Sequence, residues 1–311
     1  MILVAGSANL DFVIQTSHIP APGETVLGHG FKTFPGGKGA NQAIACARAG
    51  GAATEILLAL GNDAFALPIE ASLMAANVRM HTLRVADQAT GIAFICVSDD
   101  AENAITVAPG ANSYLRADHL PALTRFSHLL LQLETPIDTV AAYARAAHNV
   151  GVKVVLNAAP AQDLPAALMK LIDVLIVNAG ELAALSNHHG TIVERMEHLA
   201  VPCVVVTLGQ HGSCALANGE FLVQPAFSVT SVDSTAAGDT FCGVLVAALT
   251  RQQTLSQALR LATAAGALAC TRLGAQSSIP GHSDVDRFLQ NAPATTVAQE
   301  MALYDFCGFT P

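Results

Sequence analysis

Short apolar runs alternate along this chain with longer stretches of helical spacing, and this alternation constrains the fold more than any other feature. The predicted strands are residues 2–7, 55–60, 128–133, 153–156, 174–177 and 203–207. The predicted helices between them are residues 41–48, 65–75, 137–148 and 181–186. A strand followed by a helix and then another strand favours parallel pairing, with helices on both faces of the sheet. The pattern therefore predicts an α/β protein built on a mostly parallel sheet.

Two regions depart from this alternation and predict a second, smaller sheet. Residues 12–34 are strand-like but contain several prolines and glycines, and residues 91–107 have the pattern of a hairpin with its turn at 99–102. Strands of this kind lie off the parallel sheet, and together they can cover a ligand site as a lid does. A pair of edge hairpins without any moving part is the alternative interpretation.

The last third of the chain is predicted to be mainly helical, with helices at residues 239–250, 255–271 and 285–289. Residues 292–296 have the composition of a linker, and residues 297–304 have the pattern of a short helix. The sequence assigns no role to this last segment.

Composition and charge narrow the class of function. Hydrophobic residues make up 52% of the chain and charged residues only 13%, which is typical of a compact α/β enzyme. The net charge of −9 and the lack of a Lys/Arg cluster argue against a nucleic-acid partner. The seven cysteines include no Cys-x-x-Cys pair, so we expect a reducing cytoplasm and no zinc site. The N-terminus runs directly into a strand pattern instead of a signal peptide, and no apolar run is long enough to predict a membrane span.

The segment from Val232 to Thr240 carries the strongest indication of chemistry. Small residues and Gly238 precede Asp239 at the start of an apolar helix, which points several backbone N–H groups into one open space. Such a helix N-terminus attracts negative charge, above all phosphate. A carboxylate beside a bound phosphate has a function if it takes the proton from an attacking hydroxyl group. An ordinary capped helix is the competing interpretation, since Asp and Gly are common at helix starts.

A glycine-rich motif, Gly-Gly-Lys-Gly-Ala-Asn-Gln at residues 36–42, lies next to a predicted helix. Its glycines allow a ligand to approach the backbone at a helix N-terminus. It is not a Walker A loop, because Lys38 is followed by glycine instead of serine or threonine. Upstream, Asn9 and Asp11 are expected at the end of the first strand, where an amide and a carboxylate can bind adjacent sugar hydroxyls. A plain glycine turn and an Asx turn are the respective alternatives.

Further polar groups follow other predicted elements. Glu134 follows the third strand, while Asn178 and Glu181 follow the fifth and suit either a hydrated Mg²⁺ or a helix cap. Residues 207–212, Thr-Leu-Gly-Gln-His-Gly, fit a nucleotide contact or a turn between strands. Residues 272–280 follow a long helix and offer oxygens to a monovalent cation, or form a helix C-cap.

The order and spacing of these motifs resemble the PfkB carbohydrate kinase family, and within it the ribokinases. The resemblance implies an α/β, ribokinase-like three-layer sandwich with a central mostly parallel sheet and a small β-sheet lid. It makes residues 1–290 one kinase domain, with lid strands inserted at 12–34 and 91–107. Residues 291–311 are left as a C-terminal tail of unknown role.

The resemblance also implies an activity and a set of site residues. Family members transfer the γ-phosphoryl group of ATP to a sugar hydroxyl, and the primary hydroxyl of a pentose, D-ribose above all, is expected here. Asp239 matches the catalytic base, and the amides of Ala236, Ala237 and Gly238 match the anion hole. The residues that match sugar contacts are Asn9, Asp11, Gly37, Lys38, Asn41 and Glu134. Those that match nucleotide contacts are Asn178, Thr207, Gly209 and Gly212, with Glu181 in the Mg²⁺ region. Those that match a potassium site are Asp233, Thr235, Ala269, Arg272, Gly274 and Ser278.

ATP, Mg²⁺, an activating K⁺ and a homodimer formed through the lid sheets are the partners that the resemblance implies. Three positions depart from the family pattern: Ala179 replaces a carboxylate of the metal region, His211 replaces an arginine and Cys242 replaces an asparagine. A kinase for deoxyribose, a ketohexose or a nucleoside remains open, as does a sugar-binding protein without catalysis. A nicotinamide-dependent dehydrogenase is disfavoured, because no Gly-x-Gly-x-x-Gly motif follows the first strand.

Overall fold

The computed structural model describes residues 1–100 and 102–311, and thirteen strands lie in this part of the chain. In chain order they are β1 (Ile2–Ala5), β2 (Asn9–Thr16), β3 (Gly30–Gly36), β4 (Thr54–Gly61), β5 (Arg79–Val85), β6 (Gly91–Ser98), β7 (Asn103–Ala108), β8 (His128–Leu131), β9 (Lys153–Asn157), β10 (Val174–Asn178), β11 (Cys203–Thr207), β12 (Gly212–Ala217) and β13 (Glu220–Pro225). Nine of them form the central sheet in the order β13-β12-β11-β10-β9-β8-β1-β4-β5. The pairs from β11 to β5 are parallel, and β12 and β13 add an antiparallel edge.

Helices cover both faces of this sheet. In chain order they are α1 (Lys38–Ile44), α2 (Ala66–Ala75), α3 (Ile137–Asn149), α4 (Ala166–Met169), α5 (Ala179–Ser186), α6 (Ile192–Glu197), α7 (Ala237–Thr250), α8 (Leu255–Ala269), α9 (His282–Asn291) and α10 (Val297–Cys307). Buried side chains of α1, α2, α7, α8 and α9 form one apolar core, and those of the other five helices form a second core. β1 separates the two cores, because Ile2 and Val4 belong to the first whereas Leu3 and Ala5 belong to the second. The predicted three-layer architecture is confirmed.

Four strands form a smaller sheet in the order β3-β2-β6-β7. β2 pairs in parallel with β6 and antiparallel with β3, while β6 and β7 form the predicted hairpin. Ala101, in the predicted turn of that hairpin, lies outside the described residues. The predicted second sheet is therefore present, and its action as a lid stays a prediction.

The edges of the central sheet were missed by the sequence patterns. β5 carries Arg79, His81 and Arg84 among its apolar residues, so it lacks the continuous apolar run of a buried strand. β12 and β13 are joined at Asn218 and Gly219, whose φ angles are 52° and 81°. Asn-Gly between two strands is the strongest short-range hairpin signal, and the sequence contains it. The predicted mostly parallel sheet is confirmed, but its antiparallel edge was not predicted.

The C-terminal segment forms the predicted short helix and extends it to Cys307 as α10. α10 packs against β13 on the outer edge of the sheet. None of the helices in the described ranges is both long enough and apolar enough to cross a membrane.

Candidate active site

The site is organised around the first turn of α7. Ala236 precedes this helix with φ 59° and ψ 8°, a left-handed conformation that is uncommon for a residue with a Cβ atom. The Ala237 N–H donates to the Ser234 carbonyl at 3.2 Å. Within the described residues, the N–H groups of Ala236 and Gly238 have no acceptor. Two of the three amides predicted for the anion hole are therefore available to a ligand, and the Ala237 amide is engaged in the turn.

Asp239 is held from both sides by amide groups of α1. Its Oδ2 accepts from Asn41 Nδ2 and its Oδ1 accepts from Gln42 Nε2, both at 2.9 Å. The Asp239 side chain is almost buried, with 8% of its surface exposed. The two bonds fix the carboxylate plane at the N-terminus of α7, where the helix dipole also favours negative charge.

Gln42 connects Asp239 to a wider set of buried amides. It accepts from Gln132 at 2.7 Å and donates to Asn157 Oδ1 at 2.9 Å as well as to Asp239. The sequence analysis did not assign a role to Gln42, Gln132 or Asn157. Gln42 is the last residue of the glycine-rich motif, and Gln132 and Asn157 lie at the carboxyl ends of β8 and β9, where ligands bind in a parallel sheet.

Lys38 and Glu134 lie beside this carboxylate. The Lys38 backbone N–H donates to Glu134 Oε2 at 3.1 Å, and the Ser7 hydroxyl donates to the same oxygen at 2.5 Å. The Asp239 carboxylate, followed by those of Glu134 and Glu181, raises the pKa of the Lys38 ammonium group, although burial opposes this shift. Lys38 therefore carries a firmly held positive charge among three acidic residues.

Asn9 and Asp11 do not end the first strand as predicted but begin β2, one of the two inner strands of the small sheet. Residues 6–8 turn the chain from one sheet into the other, which still brings both side chains to the site. Asn9 Oδ1 accepts from Asn112 Nδ2 at 2.8 Å. Burial, together with the charges of Glu134 and Asp239, raises the pKa of Asp11 to about 7. Asp11 thus titrates near neutral pH.

The glycine motif leaves room for these side chains. A Cβ atom on Gly36 would collide with the Asp11 carboxylate. Gly37 has φ 86°, and a Cβ atom there would lie 2.7 Å from the Asn9 backbone nitrogen. Glycine is required at residue 37, where the backbone is left-handed and the added atom meets backbone, whereas a side chain at residue 36 would displace the Asp11 carboxylate.

Asn178 and Glu181 cap α5 reciprocally. Asn178 Oδ1 accepts from the Glu181 N–H, and Glu181 Oε2 accepts from the Asn178 N–H, each at 2.8 Å. The helix-cap alternative is therefore present in the structure. Glu181 nevertheless lines a cavity of about 230 Å³ with Lys38, Gly238 and Asp239, and burial raises the pKa of its carboxyl group.

A larger cavity of about 680 Å³ lies on the other side of Gly238. Its walls include Thr207, Gly209 and Gly212, three of the four residues predicted to contact the nucleotide. The fourth, Asn178, ends β10. Gly212 also has φ 114°, and a Cβ atom there would meet the backbone of Ala226. Both cavities open onto the start of α7, so a long ligand can reach from one to the other.

The predicted potassium residues lie on two loops that the Asp233 side chain joins. Its Oδ1 accepts from the Thr235 hydroxyl at 2.6 Å, and its Oδ2 accepts from the Gly274 N–H at 2.8 Å. Ser278 is buried and donates to the Ala275 carbonyl at 2.8 Å. Ala269 is buried at the end of α8. The Arg272 guanidinium lies 3.8 Å from the Asp284 carboxylate of α9.

Comparison with known proteins identifies the family. The pfkB family carbohydrate kinases match residues 1–281 of the chain. The chain belongs to this family. It is 36% identical to the ribokinase of Haemophilus influenzae, over 94% of this chain and 99% of that protein. The family predicted from the motifs is confirmed.

Solved structures agree with this pfkB kinase in fold. The ribokinase of Thermotoga maritima superposes with a TM-score of 0.86 at 36% identity and covers 93% of this chain and 99% of its own. The Arabidopsis thaliana ribokinase, solved in complex with ribose and ATP, gives a TM-score of 0.85 at 29% identity, over 93% and 98% of the two chains. The family match ends at residue 281, immediately before α9. Both α9 and α10 therefore lie outside it.

Proposed function

We propose that this chain transfers the γ-phosphoryl group of ATP to the primary hydroxyl of D-ribose, giving ribose 5-phosphate. The observation that carries the proposal is the position of Asp239. Its carboxylate is held by Asn41 and Gln42 at the first turn of α7, where the cavities on either side of Gly238 meet. The ribokinases among the relatives, including the one bound to ribose and ATP, support this substrate pair.

The sugar is expected among the polar side chains of β2 and α1. Asn9, Asp11 and Glu134 supply acceptors, while Lys38 and Asn41 supply donors, so adjacent hydroxyl groups of a pentose find partners of both kinds. The lid sheet that carries Asn9 and Asp11 excludes water, which would otherwise consume ATP.

Asp239 accepts the proton of the attacking hydroxyl as general base. The N–H groups of Ala236 and Gly238 stabilise negative charge on the transferring phosphoryl group, as donors placed before the reaction begins. The Asp239 carboxylate raises the pKa of the Lys38 ammonium group, so Lys38 adds a positive charge to the same region.

The cations fit residues that the structure brings together. Glu181 keeps Oε1 free of the capping bond and lines the 230 Å³ cavity, so Glu181 and Asn178 suit a Mg²⁺ held through water and phosphate oxygens. Bound there, Mg²⁺ would neutralise charge on the phosphates of ATP. The loops of Asp233 and Gly274, joined by hydrogen bonds, suit a K⁺ held mostly by backbone oxygens.

We also propose a cytoplasmic homodimer. All seven cysteines are free, which supports a reducing compartment. One face of the lid sheet exposes Ile14, Phe31 and Phe94, each at least 40% accessible. An apolar patch of this kind on a sheet is typical of a protein–protein contact, and two lid sheets that pack together would cover it.

ADP release in a coupled assay tests the substrate assignment. D-ribose, 2-deoxyribose, D-fructose and adenosine are compared, each with K⁺ and with Na⁺. We expect the highest kcat/KM with D-ribose and a lower rate when Na⁺ replaces K⁺. A preference for another acceptor would reassign the substrate within the family, and ribose binding without ADP release would favour a non-catalytic sugar-binding protein.

A further inference from the structure

α10 lies outside the family match, yet it is a fixed part of the molecule. Leu303 and Cys307 are buried in the second apolar core. The rings of Tyr304 and Phe309 pack on Phe221 of β13, with centroids 6.1 and 4.7 Å away. These contacts set the position of the remaining side chains of the helix.

Phe306 points away from this core. Its ring stacks on the imidazole of His211, with 4.1 Å between ring centroids and 19° between ring planes. The Phe306 side chain is 48% exposed, so its packing is against His211 and not against the interior. His211 belongs to the short 3₁₀ turn Gly209–His211 that follows β11.

The stacked pair lines a third cavity, of about 370 Å³, at the edge of the candidate active site. Thr207 and Gly209 form walls of this cavity and also of the 680 Å³ cavity assigned to the nucleotide. Asn178 is shared with the 230 Å³ cavity beside Asp239. The turn after β11 is therefore a wall common to the 370 and 680 Å³ cavities, and Phe306 lines the smaller of these two.

The backbone of this turn is held by hydrogen bonds at its two ends and contains a glycine in the left-handed region. Gly209 has φ 57°, and nothing lies within 4 Å of the place where its Cβ atom would be. The Leu208 N–H donates to the Gly212 carbonyl at 2.8 Å, the His211 N–H donates to the Leu208 carbonyl at 3.1 Å, and the Ala226 N–H donates to the His211 carbonyl at 3.2 Å. A glycine-containing turn loses more freedom on ordering than other segments. The Phe306 ring stacked on His211 orders the turn before a ligand binds, so less conformational entropy is lost on binding.

We propose that Phe306 is a positioning residue for the nucleotide: through His211 it holds the Gly209–His211 turn in the conformation that binds ATP. The segment after residue 291 thereby acquires a role in the reaction that the sequence did not assign. This inference rests on the proposed function in taking the ligand of the 680 Å³ cavity as a nucleotide.

The test compares Phe306→Ala with Met301→Ala. Met301 lies on the same helix, is 47% exposed and lines none of the three cavities within the described residues. ADP binding is measured by calorimetry, and KM for ATP and for ribose by the coupled assay. We expect Phe306→Ala to weaken ADP binding and raise KM for ATP about 3- to 10-fold, the worth of one aromatic pair. KM for ribose and the melting temperature should stay near their original values, and Phe306→Tyr should restore ADP binding.

Three outcomes would overturn the inference. Normal ADP binding by Phe306→Ala, an equal loss in Met301→Ala, or a parallel loss of ribose binding would each show that Phe306 does not position the nucleotide. Calorimetry with ADP does not depend on which sugar is accepted, so a changed acceptor preference leaves this test intact. Failure of the unaltered protein to bind ADP would instead overturn the proposed function, and this inference with it.

Discussion

Asn41 Nδ2 donates to Asp239 Oδ2 over 2.9 Å and thereby joins two residues that lie 198 positions apart in the chain. Asn41 belongs to the glycine-rich motif and lies within α1, and Asp239 belongs to the first turn of α7. The bond connects the expected sugar side of the site to its expected phosphate side. A change at either end should therefore affect the geometry of the other.

Replacement of the proposed base tests this arrangement most directly. Asp239→Asn keeps the shape of the side chain but removes its ability to accept a proton, so kcat should fall by about 10²- to 10⁴-fold. Ribose binding, measured by calorimetry, should survive. Asp138→Asn is the matched control, because Asp138 is an exposed aspartate in the first turn of α3. Near-normal turnover of Asp239→Asn would reject the assignment of the base.

The buried amide network should support both stability and catalysis. Leucine has nearly the same volume as glutamine, but Gln42→Leu removes the amide group that bonds to Asp239 Oδ1, Asn157 Oδ1 and Gln132 Nε2. Because buried polar groups without partners are costly, we expect a loss of about 1–3 kcal/mol in the free energy of unfolding. The kcat value should also fall, since Asp239 loses one of its two donors.

Denaturant unfolding and the coupled assay measure these two effects. Gln290→Leu, on the exposed face of α9, is the control for the change from amide to hydrocarbon. Unchanged kcat in Gln42→Leu would mean that Asn41 alone positions the carboxylate.

The raised pKa of Asp11 predicts a pH dependence for sugar binding. Its folded pKa of about 7 lies above the ordinary value of 3.8, so the folded protein keeps this proton where the unfolded chain has lost it. The Asp11 contribution to the stability of the ligand-free protein should therefore fall as the pH rises from about 4 to about 7, and level off above that range. Ribose binding should tighten over about pH 6 to 8, because the ionised carboxylate accepts more hydrogen bonds.

Calorimetric titration with ribose at several pH values measures this effect. Asp11→Asn, which cannot ionise, should bind ribose with little dependence on pH in the same range. A pH profile that is identical in both proteins would assign the titration to another group.

The backbone of the glycine motif offers a test that does not involve charge. Gly37→Ala places a Cβ atom at φ 86° and against the Asn9 backbone, so the loop must shift. We expect a loss of about 1–3 kcal/mol in the free energy of unfolding and weaker ribose binding. Gly180→Ala is the control, because the added Cβ atom would meet only Asn178 Oδ1, at 3.3 Å. Equal effects of the two substitutions would refute a specific requirement at Gly37.

Much of the fold was predictable because its signals are local. The apolar runs that became β1, β4, β8, β9, β10 and β11 alternate with helical spacing, and burial on both faces of a parallel sheet requires that pattern. β12 and β13 were not predicted although Asn218-Gly219 marks their hairpin, because the strand–helix alternation that reveals parallel strands is absent from an antiparallel edge. Asn9 and Asp11 were assigned to the wrong strand, since a change of sheet within three residues has no periodicity to reveal it.

The sequence by itself determined the three-layer class and the family. It also determined where glycine is needed and where helices begin. These features depend on neighbours along the chain. Only the tertiary structure decided that Gln42 would join Gln132, Asn157 and Asp239, and that Phe306 of the last helix would stack on His211. Those contacts unite residues from distant elements. Their energies depend on how the helices and the sheet pack together, and no spacing along the chain encodes that.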